Sequence, residues 1–237
     1  MFFKNYGYCH CCDSATSFSA KYDWFRDHYL CDKCGSIPRE RALMYYIENS
    51  VPNWKNKIVH ETSPGNRGAS VKLKGYCKKY IPSQYYPNIP GGKTFQNMRS
   101  ENLENLSFDD NSIDLHISQD VMEHIFDAEK AFKEIERTLK PGGKHIFTVP
   151  IVNKYNPTKI TASLGNDGRI IHYTTPEYHG NPISNKGALV TRNWGFDIVD
   201  YIYKSSGMVT QIMHMDSLEF GIRAELIEVL ISTKLSV

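Results

Sequence analysis

Residues 113–150, IDLHISQDVMEHIFDAEKAFKEIERTLKPGGKHIFTVP, constrain the fold more than any other part of the chain. Ile113, Leu115 and Ile117 alternate as a short strand would. Ala128, Ala131, Phe132, Ile135 and Leu139 then recur at helical spacing behind Asp127, a residue type that caps helix starts. Lys140 suits the last helical turn, and Pro141-Gly142-Gly143 predicts the stop. His145 to Val149 returns as a second apolar strand. Two strands joined by a crossover helix form a βαβ unit, whose parallel strands belong in a helix-covered sheet.

The first fifty residues carry a different signal. Cys9-x2-Cys12 and Cys31-x2-Cys34 are separated by eighteen residues, within the range of structural zinc sites. Two such turns supply the four soft ligands of a tetrahedral Zn2+, and Gly35 provides a residue free to take positive φ. So short a segment buries little apolar surface, so metal binding would supply folding free energy. Cys11, His10 and His28 are alternative ligands, and disulfides or free thiols are the other outcomes. The N-terminus MFFKNYGYCHCC lacks the apolar centre of a signal peptide, so disulfides are disfavoured and a cytoplasmic location is expected. Cys77 reads as a plain buried thiol. Pro38 suits the first turn of a helix whose apolar face is Leu43, Met44 and Ile47. Arg39 and Arg41 read as its solvated face, with a phosphate or carboxylate contact as the alternative. Val51-Pro52-Asn53 marks a boundary between a module of residues 1–50 and a domain of residues 51–237.

The length of 237 residues allows one substantial core with that small appendage. A hydrophobic content of 41% and a charged content of 23% suit a soluble globular protein. No apolar run approaches the roughly 20 residues of a membrane helix. A formal charge of +2 leaves no electrostatic footprint for nucleic acid.

The 113–150 stretch closely resembles the second half of class I S-adenosylmethionine-dependent methyltransferases: a strand ending in a polar loop, a Glu-His pair, an acid-capped helix and a Leu-Lys-Pro-Gly-Gly turn. The resemblance implies an α/β fold, a Rossmann-like methyltransferase sheet with flanking helices, and S-adenosylmethionine as cofactor. It makes Lys57 to Glu61 the first strand, followed by a loop and a helix over 69–80. The family's loop reads acidic-x-Gly-x-Gly-x-Gly, whereas here it is Glu61-x-Ser63-x-Gly65-x-Arg67, with one of three glycines kept. By resemblance, Glu61 orients the amino acid end of the cofactor, and Thr62, Ser63, Pro64, Gly65 and Arg67 form the loop around it. The second strand, over 80–86, lacks the terminal acid that grips the ribose. Residues 100–110 resemble the family's adenine segment, with Asn102 in place of the acid, Leu103 beside it and Glu101 as an alternative. Gln119 and Asp120, at the end of the fourth strand, complete the implied cofactor set.

Methyl transfer is an in-line displacement from a sulfonium carbon, so alignment of the reactants matters most. A hydroxyl acceptor also gains from a nearby base. His124 is the first candidate by position, with a structural role as the equal alternative. Residues 151–193 lose periodicity, and by resemblance form the acceptor pocket, which makes His172 and His179 rival bases. Tyr173, Tyr178 and Trp194 add aromatic groups to that stretch. Glu123 and Asp120 are alternatively caps of the following turn. Residues 196–203 and 226–232 read as closing strands.

The expected activity is methyl transfer from S-adenosylmethionine to a small-molecule or saccharide acceptor at oxygen, with zinc structural and oligomeric state open. One rival is an RNA methyltransferase carrying a zinc module, against which residues 1–57 offer only eight Lys or Arg to six Asp or Glu. The other is a catalytically degenerate fold serving as a binding protein, motivated by the missing glycines and ribose acid.

Overall fold

The computed structural model describes residues 2–181 and 184–236. Strands β1 (Phe3–Cys9) and β2 (Ser14–Ala20) form an antiparallel hairpin, with Phe3 opposite Ala20 and Cys9 opposite Ser14. After the short helix α1 (Phe25–His28), β3 (Tyr29–Cys31) pairs with β2 and returns Cys31 to the hairpin's closed end. Helix α2 (Pro38–Ser50) follows, with Pro38 in its first turn and the Ile37 N–H donating to Glu40 Oε2 at 3.0 Å. Its Leu43, Met44 and Ile47 are fully buried, as their helical spacing predicts.

The next unit alternates strand and helix: β4 (Ile58–Thr62), α3 (Gly68–Tyr76), β5 (Lys79–Gln84), the small strands β6 (Thr94–Phe95) and β7 (Met98–Ser100), β8 (Ile113–Gln119), α4 (Ala128–Thr138) and β9 (Leu139–Thr148). Residues 151–193 hold six short strands: β10 (Lys159–Ile160), β11 (Ala162–Leu164), β12 (Ile170–His172), β13 (Tyr178–Asn181), β14 (Ser184–Leu189) and β15 (Arg192–Asn193). These pair as β10 with β15, β11 with β12 and β13 with β14. Helix α5 (Ile198–Ser206) leads to β16 (Val209–Met213) and β17 (Val229–Thr233).

The main sheet runs β16-β17-β9-β8-β4-β5-β7-β6. Strands β7, β5, β4, β8 and β9 are mutually parallel, whereas β17 runs antiparallel to β9 and to β16. This is a Rossmann-like sheet of mixed direction. The strand order reverses between β4 and β8, so their carboxyl ends open the crevice in which doubly wound folds take ligands.

Two apolar clusters cover the two faces. One joins Phe18, Leu43 and Ile47 to Leu73 of α3 and to Val59, Leu115 and Ile146 of the sheet. The N-terminal hairpin and α2 therefore share their core with the sheet. The other packs Phe132 and Ile135 of α4 and Ile202 of α5 on Ile113, Phe147 and Leu230. Each such fully buried side chain stabilises by about 1.5–3 kcal/mol.

Several elements differ from the sequence expectation. Helix α4 is capped by Asp127, which accepts the Lys130 N–H at 3.0 Å, but it ends at Thr138. Pro141-Gly142-Gly143 lies inside β9, where Gly142 takes φ +74° and the register with β8 shifts. Helix α3 stops at Tyr76 rather than at 80, because the chain must turn into β5 beside the buried Cys77. Residues 198–206 form a helix, not a strand: Ile198 and Ile202 share its buried stripe and Gly207 ends it with φ +74°. The closing hairpin is built from β16 and β17 instead. Among the described residues, no helix is long and apolar enough to cross a membrane.

Candidate functional site

At the end of β4, Glu61 is buried, and its carboxylate accepts from Ser70 Oγ at 2.5 Å, Tyr80 Oη at 2.6 Å and Gln119 Nε2 at 3.0 Å. Burial pushes its carboxyl above the usual range, while these donors pull it back. The neighbouring parallel strands explain the meeting: Glu61 lies opposite Ile117 and Pro82, so Gln119, two residues further along β8, and Tyr80, two residues earlier on β5, reach its carboxylate from either side. Thr62 is buried behind it, and Ser63 turns the chain with φ +51°. Pro64 is half-buried and Gly65 exposed, and a side chain added at Gly65 would meet little but Ser70 Oγ at 3.6 Å.

Helix α2 overhangs this loop. Arg67 Nε donates to Glu40 Oε1 at 3.1 Å, and Gly68, at φ +57°, lies so close that an added Cβ would sit 2.2 Å from Glu40 Oε2. Asp120, with φ +51°, is gripped by Arg26 Nη2 at 2.7 Å, by Arg39 Nε at 3.1 Å and by Thr148 Oγ1 at 2.9 Å. Burial alone would raise its carboxyl, but Arg39 and Arg26 hold it below the usual value. Arg39 is thus no solvated residue, because Asp120 draws it over the end of β8. Arg41 is more buried still, donating to Gly221 O, Tyr29 O and Ser36 O and lying 4.7 Å over the Phe18 ring. A guanidinium has five donors, and three converging carbonyls use them where no water reaches. The carboxylate alternative for Arg39 holds within the chain itself.

The segment expected to meet adenine is turned inward. Asn102 Oδ1 accepts from the Glu104 N–H at 3.0 Å, and Leu103 is core. Glu101 is buried, taking Arg99 Nε at 2.6 Å and Ser107 Oγ at 2.5 Å. Among the described residues, these three form no hydrogen bond or ion pair with Glu61 or Gln119.

Beyond Asp120, a 3-10 turn over Met122–His124 carries the next group. His124 Nδ1 donates to Leu189 O at 2.9 Å, since a carbonyl can only accept, and its Nε2 lies 3.7 Å from Glu123 Oε1. Hairpin β13–β14 brings His179, whose Nδ1 is also 3.7 Å from Glu123 Oε1 and whose Nε2 is 3.4 Å from Glu177. The Glu123 carboxylate raises the His179 imidazole against the effect of burial, with Glu177 adding to it. Thr191 donates to the backbone carbonyls of Glu123 and Ile125, which ties the insertion to this turn. A pocket of about 170 Å³ beside it is lined by Glu123, Pro150, Val152, His179, Arg192 and Asn193. His172 stands exposed at the end of β12 in a separate hairpin, outside this group. Trp194 is core rather than pocket, packed against Phe132 and Tyr201.

Cys9, Cys12, Cys31 and Cys34 bring their sulfurs within 4.8 Å of one another at the hairpin's closed end. Cys9 to Cys34 is 3.8 Å and Cys12 to Cys31 is 3.9 Å, the spacing of sulfurs around a tetrahedral ion with Zn–S bonds of about 2.3 Å. All six cysteines are free thiols. His10 instead meets Glu48 at 2.7 Å, and His28 packs on Tyr22. Lys72 of α3, its side chain fully buried, binds Asp13, Glu48 and His10 O, and so fixes the hairpin against the sheet.

Sequence reasoning overlooked Arg26, Glu40, Ser70, Tyr80 and Glu177. Arg26 and Glu40 reach the site from N-terminal elements remote in sequence, whereas Ser70, Tyr80 and Glu177 lie within twenty residues of residues already singled out but carry no local motif.

Residues 78–147 match the family model described as a methyltransferase domain. That match spans β5 to β9 and leaves out the Glu61–Gly68 loop and the cysteine hairpin. A ubiquinone/menaquinone biosynthesis C-methyltransferase of Haemophilus ducreyi is 30% identical over 122 residues, which is 46% of this chain and 47% of that protein. Phosphoethanolamine N-methyltransferase 2 of Caenorhabditis elegans is 50% identical over 42 residues, 18% of this chain and 10% of that protein. The chain thus spans about half the length, or less, of these curated relatives. A chain in the complex containing the Haloferax volcanii Trm112 methyltransferase activator superposes with a TM-score of 0.52 at 15% identity, over 83% of this chain and 90% of that one. The chain therefore has a Rossmann-like methyltransferase fold, and its residues 78–147 match the methyltransferase domain family.

Proposed function

We propose that this chain transfers a methyl group from S-adenosylmethionine to an oxygen of a small-molecule or saccharide acceptor. The observation that carries this reading is the meeting of Glu61, Gln119 and the Ser63–Gly65 loop at the point where the strand order reverses, with the His124–His179 pair on the following turn. The cluster fits the cofactor in charge: Glu40 meets Arg67 and Asp120 meets Arg26 and Arg39, whereas Glu61 accepts only from Ser70, Tyr80 and Gln119 among the described residues and would face a cationic ligand. Glu61, Ser63 and Gly65 would hold its amino acid end, and Gln119 would keep Glu61 oriented. When bound, the cofactor supplies an electrophilic methyl on sulfonium. The chain's own contribution is alignment, exclusion of water by the β10–β15 insertion, and a proton acceptor at His124 Nε2 or His179 Nδ1. The small acceptor is supported by the pocket beside Glu123 and by the near balance of charge, a formal +2, in the sequence. Residues 1–50 serve as a structural zinc module, its Zn2+ held by Cys9, Cys12, Cys31 and Cys34, and residues 51–237 as the transferase domain.

A second reading, a binding protein on a degenerate fold, is favoured by Glu61 and Asp120 being occupied by the chain's own side chains and by Glu40 seated against Gly68. Calorimetric titration with S-adenosylmethionine and its demethylated product separates the two. Micromolar binding that falls at least tenfold in Gly65→Arg, with an unchanged melting temperature, supports the transferase. No binding to folded, zinc-loaded protein favours the second reading.

A further inference from the structure

The carboxylate of Glu123 is the least explained charged group in the molecule. The residue is 2% exposed, and neither carboxylate oxygen has a hydrogen-bond donor among the described residues. Buried carboxylates are normally paired or bound to a metal. Two imidazoles point nitrogens at it, His124 Nε2 and His179 Nδ1, each 3.7 Å from the same oxygen. That is too long for a hydrogen bond, which spans about 2.7–3.2 Å. It is slightly longer than the separation of two ligand atoms on one ion, where metal bonds of about 2.1 Å meeting at about 110–120° put N and O about 3.4–3.6 Å apart, a difference of about 0.1 Å that a bound ion would close. One ligand atom from each of the three residues lies within 4.8 Å of the others.

The far nitrogens are held as metal-binding histidines hold theirs. His124 Nδ1 donates to Leu189 O at 2.9 Å, and His179 Nε2 faces Glu177 at 3.4 Å. Such outer contacts fix the tautomer and aim the inner lone pair. The rings meet edge to face, at 88°, so both lone pairs converge from different directions. The nearby guanidiniums direct their terminal nitrogens to other groups: Arg192 Nη2 donates to Phe126 O at 2.8 Å, its Nε having no partner among the described residues, and Arg26 Nη2 donates to Asp120 at 2.7 Å.

We infer that Glu123, His124 and His179 form a second metal site, taking one divalent first-row transition ion and leaving a coordination position open to the pocket bounded by Pro150, Val152 and Asn193. Two imidazoles and one carboxylate suit Zn2+, Mn2+ or Fe2+ rather than Ca2+ or Mg2+. The open position would take an oxygen of a hydroxylated acceptor, and that part rests on the transferase reading, whereas metal binding does not. A metal-bound imidazole has no lone pair for a proton, so in the metal-loaded protein the two histidines position the ion, and the proton-acceptor role proposed above applies only to the metal-free site.

The test compares metal content in the full chain, loaded with Zn2+ and dialysed free of excess, for wild type, Glu123→Gln and His179→Ala. Wild type should retain one equivalent more than either variant. Co2+ titration should show that the lost equivalent lacks the intense thiolate charge-transfer absorption of a cysteine site. Glu123→Gln keeps the side chain's volume, and circular dichroism and the melting curve of metal-free protein should show it folded. The thermal shift produced by Mn2+ should disappear in it. Equal metal content in wild type and Glu123→Gln, or loss of a thiolate-bound equivalent, overturns the site. Titration of the same samples with S-adenosylmethionine reads the transferase separately: a second metal without cofactor binding sinks that reading and supports the site. Cofactor binding without the extra equivalent sinks the site alone.

Discussion

A glycine's missing side chain sets how closely two elements approach here. Gly68 opens α3 at φ +57°, where an added Cβ would collide with Glu40 Oε2 at 2.2 Å. Glu40 cannot retreat without releasing the Ile37 N–H and Arg67, both of which it accepts at 3.0–3.1 Å. Gly68→Ala should therefore cost about 1–2 kcal/mol in backbone strain and about 1–3 kcal/mol in lost hydrogen bonds. Urea unfolding measures the sum, and a cycle with Glu40→Ala measures the coupling. If the two changes prove additive, the contact between α2 and the loop is not what requires glycine. Arg41 makes the complementary case. Arg41→Met would fill the volume but strand the carbonyls of Gly221, Tyr29 and Ser36, at about 1–3 kcal/mol each, so a variant as stable as wild type would contradict the buried cage.

Among the elements, the cysteine hairpin bears on the site through its neighbours. Its turn holds Asp13 against Lys72, and the chain on either side of its last strand supplies Arg26 and Arg39 to Asp120. Cys31→Ser should lower metal content by one thiolate-bound equivalent and lower the melting temperature by several degrees, since a 1 kcal/mol change moves a domain of this size by about 2–4 °C. Unchanged metal and melting temperature would leave the four thiols without a metal role. The hairpin was legible because Cys-x2-Cys spacing is a local signal, as was α4, whose buried residues recur over three turns. Residues 196–203 were not. Phe196, Ile198, Val199, Ile202 and Tyr203 satisfy both periods over so short a run, and the deciding feature, Gly207 in the left-handed region after Lys204, lies beyond it. Glu61 and Gln119 were legible as the ends of two parallel strands. Arg26 and Glu40 were not, because what brings them to the site is a shared core formed across about a hundred residues of chain.

At the scale of the whole molecule, three histidines make the sheet sensitive to acid. His60 Nδ1 meets His116 Nδ1 at 2.8 Å, His60 Nε2 meets Ser83 Oγ at 2.7 Å, and His116 Nε2 meets Thr138 Oγ1 at 2.8 Å. His145 Nε2 bonds Ser118 Oγ at 3.0 Å. Two neutral rings can share one proton between their Nδ1 atoms, but two imidazolium rings cannot, as each would present a donor to the other. Burial pushes His60 and His145 down to about 3, with Arg99 adding to the effect at His60, and drives His116 well below its usual value. The unfolded chain takes up these protons near pH 6.5 and the folded chain does not, so their contribution is complete above that pH and is lost as pH falls towards about 3. Each site then costs about 1.4 kcal/mol per pH unit below 6.5. Asp120, Asp114 and Glu48, lowered by their cationic or hydrogen-bonding partners, lose stability in the same direction at lower pH. Glu61, raised by burial, opposes them. Half-exposed His179 also opposes them, being raised. Denaturant unfolding between pH 7.5 and 5 should therefore show stability falling with an uptake of about two to three protons. Replacing His145 with Gln should remove about one of those protons, because Gln fits the Ser118 hydrogen bond but does not titrate. A flat profile from pH 7.5 to 5 would mean that the buried rings accept protons in the folded state, and the neutral hydrogen-bonded chain across β4 and β8 would have to be abandoned.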